Sequence, residues 1–153
     1  MELPDFTSQR LKNQLDSLPT ILAGIAFDAL ERKPAPGKWS ARENLAHLAR
    51  YQDVFLSRLS VIENESRPTL RRYRAEEDPE WPSWVNRSAT EMMETLHAQR
   101  QILLQRVEAM KDQDLARTAL HPRFGEMTLL VWLEFFLLHE AHHLLAVLQR
   151  SRE

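Results

Sequence analysis

Residues 135–143 read Phe135-Phe136-Leu137-Leu138-His139-Glu140-Ala141-His142-His143. Three of the chain's six histidines fall here, directly after an almost unbroken apolar run. His139 and His143 are four residues apart, which on a helix stacks two imidazoles on one face about 5–6 Å apart at Cβ. Two such nitrogens can reach one divalent cation, and a third ligand must then come from another helix. His47, in Trp39-Ser40-Ala41-Arg42-Glu43-Asn44-Leu45-Ala46-His47-Leu48, is the candidate. The expectation is a helical bundle with a three-histidine metal site inside it.

Working outward, Thr128 is expected to cap this last helix, which runs to about Arg150. Trp132, Phe135, Phe136, His139, His143, Ala146 and Val147 are read as its inward face. Glu140 then points outward and is a poor ligand. His142, about 100° around the helix from His143, faces solvent or a partner subunit.

Three further helices are expected. The first starts at Pro4-Asp5 and carries Leu11, Leu15, Leu18, Leu22 and Ile25, with Pro19 bending or restarting it. The second starts at Ser40, with Glu43 completing a capping box, and buries Ala41, Leu45, Leu48, Phe55, Leu59 and Ile62. His47 lies on the edge of that stripe beside Asn44, Tyr51, Val54 and Arg58. The third runs from about Trp84 to Met110, its apolar stripe interrupted by Arg100. That arginine either packs its stem and reaches water or aims at the interior site. Residues 64–83 form a long polar connection containing Arg67, Arg71, Arg72 and Arg74. A connection of that length suits a crossover between parallel helices. Residues 111–127 are read as an irregular joint around His121-Pro122-Arg123-Phe124-Gly125. The fold class is all-α, a four-helix bundle with a long crossover between its second and third helices.

At 153 residues, with 43% hydrophobic and 27% charged content, the chain is expected to form one domain over 1–153. Three glycines and no evenly spaced valine- or isoleucine-rich segments favour helices over strands. A net charge of −2 offers no bulk attraction to nucleic acid. The absence of cysteine removes disulfides and thiolate ligands and suits a reducing cytoplasm. Any thiol chemistry must therefore use a thiol brought in by another molecule. The N-terminus lacks the features of a signal peptide, and the apolar run 127–138 is short and carries Glu134, so no membrane span is expected.

Neutral imidazoles select transition metals over calcium or magnesium. Three of them with an open position make a catalytic zinc arrangement. The competing reading is a set of ordinary interior histidines hydrogen-bonded to neighbours. Taken together, Trp39-Ser40-x-x-Glu43-x-x-x-His47-Leu48, His121-Pro122-x-x-Gly125-x-Met127-Thr128 and His139-x-x-His142-His143 resemble the DinB-like superfamily in order and spacing. The resemblance runs from about Leu11 to Gln149. It implies a four-helix bundle, often a homodimer, holding a divalent metal through residues that map to His47, His139 and His143. Zinc and nickel are the leading metals. Relatives of this kind include bacillithiol and mycothiol S-transferases and a thiol-dependent maleylpyruvate isomerase.

Two functions follow as expectations. One is an enzyme whose metal activates a low-molecular-weight thiol or water against a small electrophile, with Tyr51, Arg58 and Arg100 in contact with the cofactor or substrate. Arg67, Arg71, Arg72 or Arg74 could then bind carboxylates of the thiol. The other is a non-catalytic metal-binding or stress-related module.

Overall fold

Ser40 accepts the Glu43 amide at 3.1 Å while the Glu43 carboxylate takes the Ser40 amide at 2.8 Å. This reciprocal box satisfies two amides that a helix start leaves open, and it launches α4 (Ala41–Asn64). In the computed structural model, which describes residues 2–153, α4 is the helix against which the others are placed. Along it lie α6 (Ala89–Glu108) and α8 (Leu129–Arg150). The remaining bundle segment is broken: α1 (Asp5–Asn13), a 3-10 turn (Gln14–Asp16) and α2 (Ser17–Leu22). Pro19 sits in the first turn of α2, where its missing amide costs nothing. The chain therefore restarts just ahead of it. A short α3 (Phe27–Glu31) precedes the turn into α4.

Helix directions follow from cross-helix pairs. Gln52 meets Arg100 and Glu63 meets Arg106, so α4 and α6 run parallel. His47 meets His139 and Asn44 meets His143, so α8 runs antiparallel to α4. Parallel neighbours force the chain to return the length of α4, about 36 Å for 24 residues. Residues 65–80 make that crossover. Leu70 and Ala75 are buried along the way, and Asp78 is clasped by Arg50 at 2.6 Å and by the Tyr73 hydroxyl at 2.9 Å.

Two segments differ from expectation. The third helix starts at Ala89, not Trp84, because Ser88 and Glu91 form a second capping box. Trp84 belongs to a separate short α5 (Trp81–Val85). The joint at 111–127 is ordered: α7 (Asp112–Leu115) leads into a hairpin of β1 (Thr118–His121) and β2 (Gly125–Thr128). The strands pair antiparallel from Thr118↔Thr128 to His121↔Gly125. Gly125 takes φ +74° at the turn, a conformation that a side chain would strain. Leu120 also exchanges backbone hydrogen bonds of 2.8 and 2.9 Å with Pro68 and Leu70, tying the hairpin to the crossover. Four-residue strands are too short to reveal themselves by alternation.

The core divides into two apolar clusters, one around Phe55, Leu103, Trp132 and Phe136, the other around Leu45, Leu48, Met92 and Leu96. Between them lies a buried polar hub. The Glu140 carboxylate accepts from Arg100, from Gln52 at 2.9 Å and from Gln14 at 2.9 Å. Arg100 also donates to the Leu11 carbonyl at 2.9 Å. Each of the four bundle segments supplies one of these side chains. Glu140 is thus 1% exposed rather than outward, and Arg100 is 2% exposed and turned into the hub rather than toward a ligand. The physical reason is the phase of α8. Its buried stripe runs through Leu133, Phe136, Leu137, Leu144 and Val147, with Glu140 at its centre and His139 and His143 on the flank. By length and composition α8 could cross a membrane, but that apolar stripe is packed against the bundle.

Candidate metal centre

The flank of α8 that carries His139 and His143 faces the flank of α4 that carries His47, so the rings meet. His47 and His139 bring their Nε2 atoms to 3.1 Å, and the His143 ring lies 4.3 and 4.6 Å, centroid to centroid, from those of His47 and His139. One nitrogen from each of the three can be chosen so that all lie within 4.8 Å of one another. Two ligands of a tetrahedral zinc stand about 3.3 Å apart, so the closest pair already has ligand spacing.

The hydrogen bonding also fits a cation. His143 Nδ1 lies 2.8 Å from Asn44 Oδ1, a partner that can only accept; Asn44 is itself held by its 2.8 Å bond to the Ser40 carbonyl. His143 must therefore carry its proton on Nδ1 and leave the Nε2 lone pair free, an arrangement metal-bound histidines commonly use. His47 and His139 can share at most one N–H···N bond. Their Nδ1 atoms are buried with no partner among the described residues. These Nδ1 atoms lie across each ring from the facing Nε2 pair, so a cation between the Nε2 atoms would leave them unpaired, at about 1–3 kcal/mol each. The competing reading, histidines satisfied by protein carbonyls and carboxylates, holds only for His143.

All three rings are held neutral, the ligating form. Burial, then the neighbouring histidines, lowers His47 to about 2. Burial, His143, His142 and Arg58 lower His139 to about 3, and burial with His142 lowers His143 to about 4. An unfolded chain protonates its histidines near 6.5. Between the two ranges the unfolded state binds more protons, so stability rises with pH. The metal-free protein should be fully stable above about pH 6.5 and lose stability as pH falls toward 4. Urea midpoints of chelated protein across pH 7.5–5 check this; a flat profile between 6.5 and 5.5, above most carboxylate titration, contradicts it.

The three rings floor a cavity of about 470 Å³, within the usual range for small-molecule sites. Trp39, Tyr51, Tyr73, Phe124 and Phe135 form its apolar walls. Trp39 stacks on Trp81 and stands 5.0 Å from His47. Tyr51, 4.2 Å from the His139 ring, accepts a 2.7 Å bond from Arg58, which leaves its own hydroxyl proton unassigned to any protein acceptor. The structure therefore puts Tyr51 and Arg58 on the cavity and keeps Arg100 off it. Of the crossover arginines, Arg72 and Arg74 reach the wall, whereas Arg67 pairs with Glu126 and Arg71 lies in an adjoining groove. His142 is exposed at the rim. Sequence reasoning left out Tyr73, Arg123 and the pairing of Asn44 with His143. Asn44 was legible as a flank neighbour of His47, but nothing in a linear spacing joins positions 99 apart.

The family model described as the DinB superfamily matches residues 10–147. This chain belongs to the DinB superfamily. Among similar proteins, YuaE of Bacillus subtilis (strain 168) is 28% identical over 135 residues, covering 80% of this chain and 83% of that protein. A protein of Bacillus cereus (strain ATCC 10987 / NRS 248) named "Putative metal-dependent hydrolase" is 26% identical over 145 residues, 93% of this chain and 82% of that protein. Among solved structures, YfiT from Bacillus subtilis superposes with a TM-score of 0.81 at 20% identity, over 97% of this chain and 85% of that one. Its description reads "a probable metal-dependent hydrolase with an unusual four-helix bundle topology". The parallel α4 and α6 joined by a long crossover are the DinB bundle in this chain.

Proposed function

We propose that this protein is a metal-dependent enzyme that activates a water or a low-molecular-weight thiol for attack on a small electrophile. The observation that carries the reading is the meeting of His47, His139 and His143, all kept neutral, at the floor of a cavity wide enough for a small molecule. A divalent transition metal held there, zinc or nickel by the donor chemistry, supplies Lewis acidity that brings a nucleophile's pKa to about 7. Asn44 fixes the tautomer and angle of His143. The Tyr51 hydroxyl, oriented by Arg58, offers a proton to an oxygen that gains charge as the electrophile is attacked. The aromatic walls limit competing water. A chain without cysteine requires that any thiol come from outside.

The hydrolase names among relatives favour water as nucleophile, and the resemblance to thiol transferases favours a thiol. An electrophile panel assayed with and without added thiol, before and after chelation, separates them. Turnover that needs metal but no thiol is hydrolysis; turnover that needs both is transfer. Stoichiometric metal with no turnover on the whole panel would leave a non-catalytic module.

A further inference from the structure

The cavity wall is markedly cationic for a chain of net charge −2. It carries Arg58, Arg72, Arg74 and Arg123 against a single carboxylate, Glu76. Arg74 is neutralised by Glu77 at 3.1 Å. Arg58 spends its donors on neutral acceptors, the Tyr51 hydroxyl and the Arg71 carbonyl, so its charge stays uncompensated. Arg72 and Arg123 make no ion pair among the described residues; Arg123 rests 5.6 Å above the Phe124 ring.

These three come from different elements, α4, the crossover and the hairpin tip, yet their charges meet at His121. Burial first, then Arg58, Arg123 and Arg72, lowers the pKa of that imidazole. His121 Nδ1 accepts the amides of Arg123 and Phe124 at 3.0 and 3.1 Å, so its proton sits on Nε2 as a further donor. A wall dominated by cations and donors, with Glu76 its one carboxylate, suits an anionic occupant.

We propose that Arg58, Arg72, Arg123 and His121 form an oxyanion subsite that holds a carboxylate or phosphate group of the substrate or thiol, with the reactive end toward the three-histidine floor. Guanidinium forks match both oxyanions geometrically, and Phe124 and Phe135 would cover the apolar body between the two ends. The assignment of the floor as the reacting end rests on the function proposed above; the oxyanion subsite itself does not need the metal.

The test titrates the full chain with inorganic phosphate and with succinate at constant ionic strength, in chelated and metal-loaded protein. Binding of at least one probe should survive chelation and weaken at least about tenfold in Arg72→Gln/Arg123→Gln. Both arginines are exposed and make no side-chain hydrogen bond, so melting temperature and metal content should stay at wild-type values. Arg74→Gln, already paired, should bind as wild type. Which probe binds separates carboxylate from phosphate. The subsite is overturned if neither probe binds chelated wild type, if the double variant binds equally, or if Arg74→Gln weakens binding as much. Anion binding by a protein that takes up no metal would instead defeat the metal-dependent reading and leave the subsite standing.

Discussion

Chelation of the purified protein is expected to lower its melting temperature by roughly 5–10 °C at a metal concentration near a hundredfold above Kd. The estimate combines about 2.7 kcal/mol of linkage at that ratio with a few degrees per kcal/mol for a domain of this size. His47→Ala should cut metal from about one equivalent per chain to a small fraction, because two histidines on one helix lack the ligand count of a catalytic site. Asn44→Ala, which leaves all three imidazoles in place, should weaken affinity by about 10–100-fold by freeing the His143 ring. In chelated protein, the metal-derived part of each variant's stability deficit should vanish. Metal analysis of untagged protein beside paired melts decides the matter. A wild type without metal, whose melt ignores chelator, would refute the centre.

Glu140→Ala should cost about 3–5 kcal/mol, a melting shift on the order of 10 °C. The substitution strands the Arg100 guanidinium at 2% exposure, and Gln52 and Gln14 lose their acceptor with it. Replacing both ions, as in Arg100→Met/Glu140→Leu, should recover much of that loss, since a buried pair is worth little against well-packed apolar groups. The cost of single removal is the unpaired charge. A functional readout goes with it. Glu140 directly follows His139 on α8 and links α8 to the other three bundle segments, so loosening the hub should also reduce metal affinity while every ligand remains. Chemical denaturation of the two variants checks the energies; a Glu140→Ala cost below about 1 kcal/mol would mean that water reaches the hub.

The hub also marks where linear reading stops. Local signals carried the helices well: the Ser40 and Glu43 box, the Thr128 cap and the restart near Pro19 all depend on atoms within a few residues of each other. The second box at Ser88 and Glu91 was equally local but was masked by the apolar residues of α5 ahead of it. The phase of α8 was harder. Its residues are apolar around most of the circumference, so the pattern permits two inward faces about one residue apart, and a glutamate is naturally read as outward. Only the presence of Arg100 and Gln52 opposite makes the inward position of Glu140 affordable.

By itself the sequence determined the helical class, the caps at Ser40 and Thr128, the long crossover and the pairing of His139 with His143 on one helix face, because capping, apolar periodicity and i, i+4 spacing are short-range. Tertiary structure alone decided that His47 reaches His139, that Asn44 sets the His143 tautomer, and that arginines from three separate elements share one wall. Those facts depend on how far each helix is rotated about its axis and on the path of the crossover. Both are fixed by packing between residues tens of positions apart, where no local rule applies.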